Sequence, residues 1–147
     1  MTTVSETTIV REITINAPAA RIFTALTEPS EFVQWWGDES EYRTTSMERD
    51  LRVGGAWSTT GVGASGQIYT VEGVYRVVDP PRALEYTWRP TWGDSPETTV
   101  ARFDLDEHDG VTYLRLTHSG FTDMASKVDH DDGWAMVLVW LQSYAQR

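Results

Sequence analysis

From residue 42 to residue 119 the chain alternates apolar and polar side chains with a period of two, interrupted at regular intervals by turn-forming residues. A period of two places successive side chains on opposite faces of a strand. The gaps between runs are too short for the crossover helices that parallel strands need, so the pattern specifies an antiparallel meander. Residues 54–60 read as one strand. Residues 67–78 read as a longer one able to curve around a core, with Gly73 as its bend or bulge. The turn "DPPR" (79–82) returns the chain into residues 83–88, where Leu84, Tyr86 and Trp88 share one face and Glu85, Thr87 and Arg89 the other. A loop is expected at 89–96. Residues 98–106 and 112–119 then pair across "EHDG" (107–110), whose Asp-Gly step suits the positive φ of a tight turn. In the second arm Leu114, Leu116 and His118 share a face.

The flanking segments change period. Residues 1–8 are polar and are expected to form a tail, and residues 9–15 read as a first strand with Ile9, Ile13 and Ile15 on one side. Pro18 opens a helix carrying Ile22, Phe23 and Leu26, and Pro29 opens a shorter one. In that second helix Phe32, Trp35 and Trp36 form a single stripe, closed by Gly37. Two adjacent tryptophans cannot point the same way, so one ring is expected to pack beneath the sheet edge and the other to border an opening. The last helix is expected from about Asp123 to Gln146, with Trp134, Val137, Leu138, Leu141 and Ala145 in one stripe. Met136, Val139, Trp140 and Tyr144 fill much of the rest, so the helix should be covered on most sides. The order predicts a single α+β domain over 9–147. In it a long C-terminal helix lies across a curved antiparallel sheet of six to seven strands, and two short helices follow the first strand.

Charge and composition remove several functions. A formal charge of -10, with no basic cluster, repels phosphate backbones and argues against nucleic acid. The absence of cysteine excludes thiolate chemistry and disulfides. No apolar run is long enough to span a bilayer, which argues against membrane insertion, and the expectation is a cytoplasmic protein.

Five segments in this order resemble the START-like or SRPBCC superfamily, and within it the group similar to the C-terminal domain of the activator of Hsp90 ATPase. They are "INAPAARIFTALTEPSEFVQWWG" (15–37), "VGGAW" (53–57), "EGVYRVVDPPRALEYTW" (72–88), "LRLTHSGF" (114–121) and "GWAMVLVWL" (133–141). The resemblance implies a helix-grip fold with a cavity between the long helix and the sheet. Similar proteins include co-chaperone domains, carriers of apolar small molecules, and cyclases or aromatases. Periodicity alone supplies no cavity.

Individual motifs carry less chemistry than their letters suggest. "GVGASG" (61–66) matches a dinucleotide fingerprint, but a strand follows it, so no helix N-terminus is present to hold pyrophosphate. A hairpin tip at the cavity mouth is the expected reading, and no cofactor is expected. "DHDDG" (129–133) fails the register of a calcium loop, because Val128 would be the first ligand. It is read as a solvated, partly capping segment; His130 with Asp129, Asp131 or Asp132 would be the ligands of a metal, and none is expected. His118 should face inward as a buried neutral histidine, or else anchor a ligand or act as a base. His118, Tyr75 and Tyr86 are the catalytic candidates, since the chain lacks a nucleophile elbow and a zinc-protease motif. His108 and His130 are expected to be wet.

The aromatic content, 12% with seven Trp, is the strongest functional signal. Rings with polar tips suit a cavity wall better than a closed core. The expected pocket residues are Trp35, Trp36, Trp57, Tyr75, Tyr86, Trp88, Phe103, His118, Phe121, Trp134 and Leu138. Three function classes stay open: a binding module for a hydrophobic or aromatic small molecule, a cyclase-like or hydrolytic enzyme using the same cavity, and a partner of an Hsp90-type chaperone. Trp140 and Tyr144, on the less covered side of the long helix, are the residues expected to support a homodimer.

Overall fold

The computed structural model describes residues 7–38, 40, 42–91 and 97–147. Strand β1 (Thr8–Ile15) leads into helices α1 (Ala19–Thr27) and α2 (Pro29–Trp35). Strands β2 (Gly37–Asp38), β3 (Tyr42–Arg49), β4 (Ala56–Gly63), β5 (Ile68–Asp79), β6 (Ala83–Pro90), β7 (Thr99–His108) and β8 (Val111–Ser119) follow, and helix α3 (Met124–Ala145) ends the chain. The expected polar tail lies, through residue 6, outside the described residues, as does the expected loop from residue 92 to 96.

All eight strands join one antiparallel sheet in the order β1-β8-β7-β6-β5-β4-β3-β2. The meander is therefore as the alternation requires, and β1 docks on the free edge of β8, with Ile9 opposite His118 and Ile15 opposite Thr112. The count exceeds six to seven because a two-residue strand forms directly after α2. Gly37, at φ 122°, turns the chain there, and a side chain on it would come within 2.0 Å of the Tyr42 carbonyl oxygen. The "EHDG" turn has both Asp109 and Gly110 at positive φ, as a tight hairpin demands.

Strand β5 is irregular. Its register against β6 shifts between Tyr75 and Val77, two residues beyond the glycine expected to mark the bulge. Gly73 serves a different purpose. It faces Trp57 across the β4–β5 pair, and the Trp57 indole N–H donates to the Thr87 carbonyl at 3.2 Å. A Cβ on Gly73 would stand 1.9 Å from that same oxygen. The Val74 N–H donates to the Thr87 hydroxyl at 2.8 Å.

The concave face carries the core: Leu84, Tyr86 and Trp88 from β6, Ala101, Phe103 and Leu105 from β7, and Leu114, Leu116 and His118 from β8, all buried. Helix α3 closes it with Trp134, Val137, Leu138 and Leu141. Both of its ends are tied down. Asp123 caps the first turn by accepting from the Ala125 N–H at 3.0 Å and the Ser126 N–H at 3.4 Å. Capping thus falls on Asp123, and the "DHDDG" segment lies inside the helix. At the C-terminus Arg21 of α1 donates to the carbonyls of Ala145 (3.0 Å) and Tyr144 (3.2 Å), placing a cation on the negative end of the dipole. Tyr144 is buried and its hydroxyl donates to Glu31 at 2.9 Å, so it does not lie on an open side of the helix as expected. Among the described residues no helix is long and apolar enough to cross a membrane.

The close approach at Gly73 makes a prediction. Gly73→Ala should lower stability by about 1–3 kcal/mol, the usual cost of forcing atoms into filled space. The check is the urea midpoint, and a midpoint equal to wild type would show that Thr87 moves freely.

Candidate functional site

Tryptophan side chains meet where α2 and α3 face the curved sheet. The ring of Trp36 stacks on Trp88 at 6.2 Å between centroids and meets Trp134 edge-on at 5.5 Å, and Trp88 lies 5.6 Å from Trp134. Between these rings and the opposite strands lies an open-mouthed cavity of about 250 Å³. Tyr42, Thr59, Tyr69 and Val71 form its sheet wall. Asp129, His130, Gly133, Met136, Val137 and Trp140 complete its helix wall.

Each buried indole must place its N–H on an acceptor, because an indole donates and cannot accept. Trp134 donates to His118 Nδ1 at 2.8 Å. With that nitrogen accepting, the ring proton of the neutral imidazole sits on Nε2, which donates to the Thr99 hydroxyl at 2.5 Å. Thr99 in turn donates to the Trp88 carbonyl at 3.4 Å. Trp88 donates to His130 Nε2 at 3.1 Å, so His130 carries its proton on Nδ1, 2.8 Å from the Ser126 carbonyl. Two histidines therefore hold two tryptophans by their edges and leave the rings to form the wall. His130, expected to be wet, is half-buried and belongs to this arrangement.

Burial lowers the His118 pKa to about 3, with the neighbouring His130 adding to the effect, so the imidazole is neutral at physiological pH. Both of its nitrogens are occupied. Burial likewise pushes the Tyr75 hydroxyl up to about 12 and the Tyr86 hydroxyl higher. None of the three candidate acid-base groups borders the cavity.

Of the expected pocket residues, Trp36, Trp88 and Trp134 line the cavity. The others stand behind them. Trp35 is buried with its N–H donated to the Ala25 carbonyl of α1 at 2.8 Å, while Trp36 lines the opening. Trp57 packs on Tyr86 and Trp88, Tyr75 on Tyr86, Phe103 on Trp134, and Phe121 on His118. Leu138 is buried on the neighbouring face of α3. The "GVGASG" stretch runs into the β4–β5 hairpin, and Tyr69, just beyond it, meets Tyr42 at the cavity. The sequence reading did not assign Asp129, Gly133, Met136 and Trp140 to the pocket, which they line. Their spacing of four, three and four residues marks one helix face, beside the core stripe that was read. Asp131 pairs with Arg11 at 2.8 Å, and among the described residues no three His, Cys, Asp or Glu side chains converge as metal ligands.

The neutral, buried His118 carries a pH signature. An unfolded chain protonates this histidine near pH 6.5 while the native state does not until about pH 3, so stability should fall as pH drops through that window. His118→Gln can accept from Trp134 and donate to Thr99 without titrating. Between pH 6.5 and 4.5 the variant should lose a slope of about 1.4 kcal/mol per pH unit relative to wild type. Parallel stability profiles would contradict the assignment.

A search of curated proteins returns no match. Among solved structures, protein CV1439 from Chromobacterium violaceum superposes with a TM-score of 0.85 at 25% identity, covering 96% of this chain and 99% of that one. The AHSA1 protein SPO3351 from Silicibacter pomeroyi gives 0.78 at 25% identity, covering 92% and 95%. Protein Ms6760 from Mycobacterium smegmatis gives 0.80 at 20% identity, covering 96% and 91%, a likeness of fold. The curved sheet gripping a terminal helix is common to this group, and the model of the activator of Hsp90 ATPase homolog 1-like proteins matches residues 16–146. The chain belongs to that family.

Proposed function

We propose that this protein binds a small, flat, largely apolar molecule in the cavity between α3 and the sheet. The observation that carries the reading is the wall itself: the rings of Trp36, Trp88 and Trp134 border open space while the N–H groups of Trp88 and Trp134 are held by histidines. A ligand therefore meets ring surface without having to supply acceptors for these two donors. The volume sets the scale. At about 250 Å³ the cavity lies between a benzene-sized void and a drug-sized pocket, so one or two fused rings fit within it.

Gly133 supports the same reading. A glycine inside a helix costs about 1 kcal/mol relative to alanine. Nothing in the packing demands it, since a Cβ there would meet no atom within 4 Å. What the missing side chain provides is room, because Gly133 borders the cavity.

Catalysis is not part of the proposal, because the candidate acid-base groups are engaged or shifted away from neutrality. The family's description favours a second reading, contact with an Hsp90-type chaperone. That role would use outer surface and would be indifferent to what fills the cavity.

Titration with naphthalene-sized aromatics should quench tryptophan emission and raise the melting temperature, with about 2.7 kcal/mol of added stability at a hundredfold excess over Kd. Gly133→Ala should be slightly more stable than wild type, and Gly133→Phe should keep the fold while losing both ligand signals. Equal binding by wild type and Gly133→Phe would sink the proposal. Stimulation of a chaperone ATPase that survives Gly133→Phe would instead support the second reading.

A further inference from the structure

We infer that the cavity selects cationic aromatic ligands, a protonated amine or quaternary ammonium carried on a small planar ring, over neutral and anionic molecules of the same shape. The inference rests on the binding reading above and adds a charge to the ligand. Six aromatic side chains border the space, namely Trp36, Trp88, Trp134, Trp140, Tyr42 and Tyr69. Ring faces present negative potential and attract cations, tryptophan most strongly.

The polar lining points the same way. Among the described residues that line the cavity, Asp129 is the one carboxylate, and none is a lysine or arginine. Asp129 is also uncommitted. Asp123 caps the helix and Asp131 pairs with Arg11, but among the described residues Asp129 enters no side-chain hydrogen bond or ion pair. It stands one turn before Gly133 on the same face of α3, so its carboxylate flanks the space that the glycine leaves open. An anion would meet an acid and ring faces with no counter-charge. A cation would meet both favourably, drawn in further by a net charge of -10.

The test is calorimetric titration of the intact protein with 2-naphthylmethylammonium, 2-naphthylmethanol and 2-naphthoate at fixed ionic strength. The ammonium should bind roughly five- to thirty-fold more tightly than the alcohol, and the carboxylate most weakly. Asp129→Asn should reduce the ammonium-to-alcohol ratio toward one. If the alcohol or the carboxylate binds at least as well as the ammonium, or if the ratio is unchanged in Asp129→Asn, the inference is overturned and the aromatic cavity reading stands. If none of the three binds, both fall together.

Discussion

The hydrogen bond from the Trp134 indole to His118 Nδ1 ties the terminal helix to β8, next to the β1 edge of the sheet, and the site depends on it. It fixes the rotation of α3 about its axis, because a buried indole N–H without an acceptor costs on the order of 1–3 kcal/mol. Once that rotation is set, Asp129, Gly133 and Trp140 are turned toward the same opening. The acceptor is available only because His118 is neutral, and it is neutral because the sheet buries it. Thr99 completes the circuit by receiving the other ring proton and passing its own to the backbone of Trp88. The chain thus connects β6, β7, β8 and α3 through polar contacts in an otherwise apolar interior.

The same logic explains why so aromatic an interior is well ordered. The N–H groups of Trp35 and Trp57 end on backbone carbonyls of α1 and β6, those of Trp88 and Trp134 on imidazoles. Every one of these four rings is pinned at its polar edge. Pinned rings resist collapse into the adjoining void, so a cavity can persist beside them even though a small domain gains by filling space.

Much of the architecture was legible in the sequence because local chemistry and global fold agree. Alternation from residue 83 onward assigned Leu84, Tyr86, Trp88, Leu114, Leu116 and His118 to the interior correctly, since period two leaves no other choice. The helix-grip arrangement, and with it a cavity, came from family resemblance. The division between rings that line the space and rings that brace them was not legible. Trp57 and Trp88 look equivalent as letters, yet only Trp88 reaches the opening, a distinction set by tertiary packing. His130 was misjudged for a related reason. Its acidic neighbours suggest a wet surface, while the acceptor role it plays depends on Trp88, which is remote in sequence and brought near by the sheet.

The pairing of β1 with β8 has a consequence for how this molecule is made. Strand β1 finds its neighbour only in the last strand before α3, so a polypeptide emerging from the ribosome carries β1 unpaired until β8 has been made. Closing that long separation is entropically slow. Until it closes, Ile9 and Ile15 have no sheet to cover, and newly made chains are most exposed to one another in this interval.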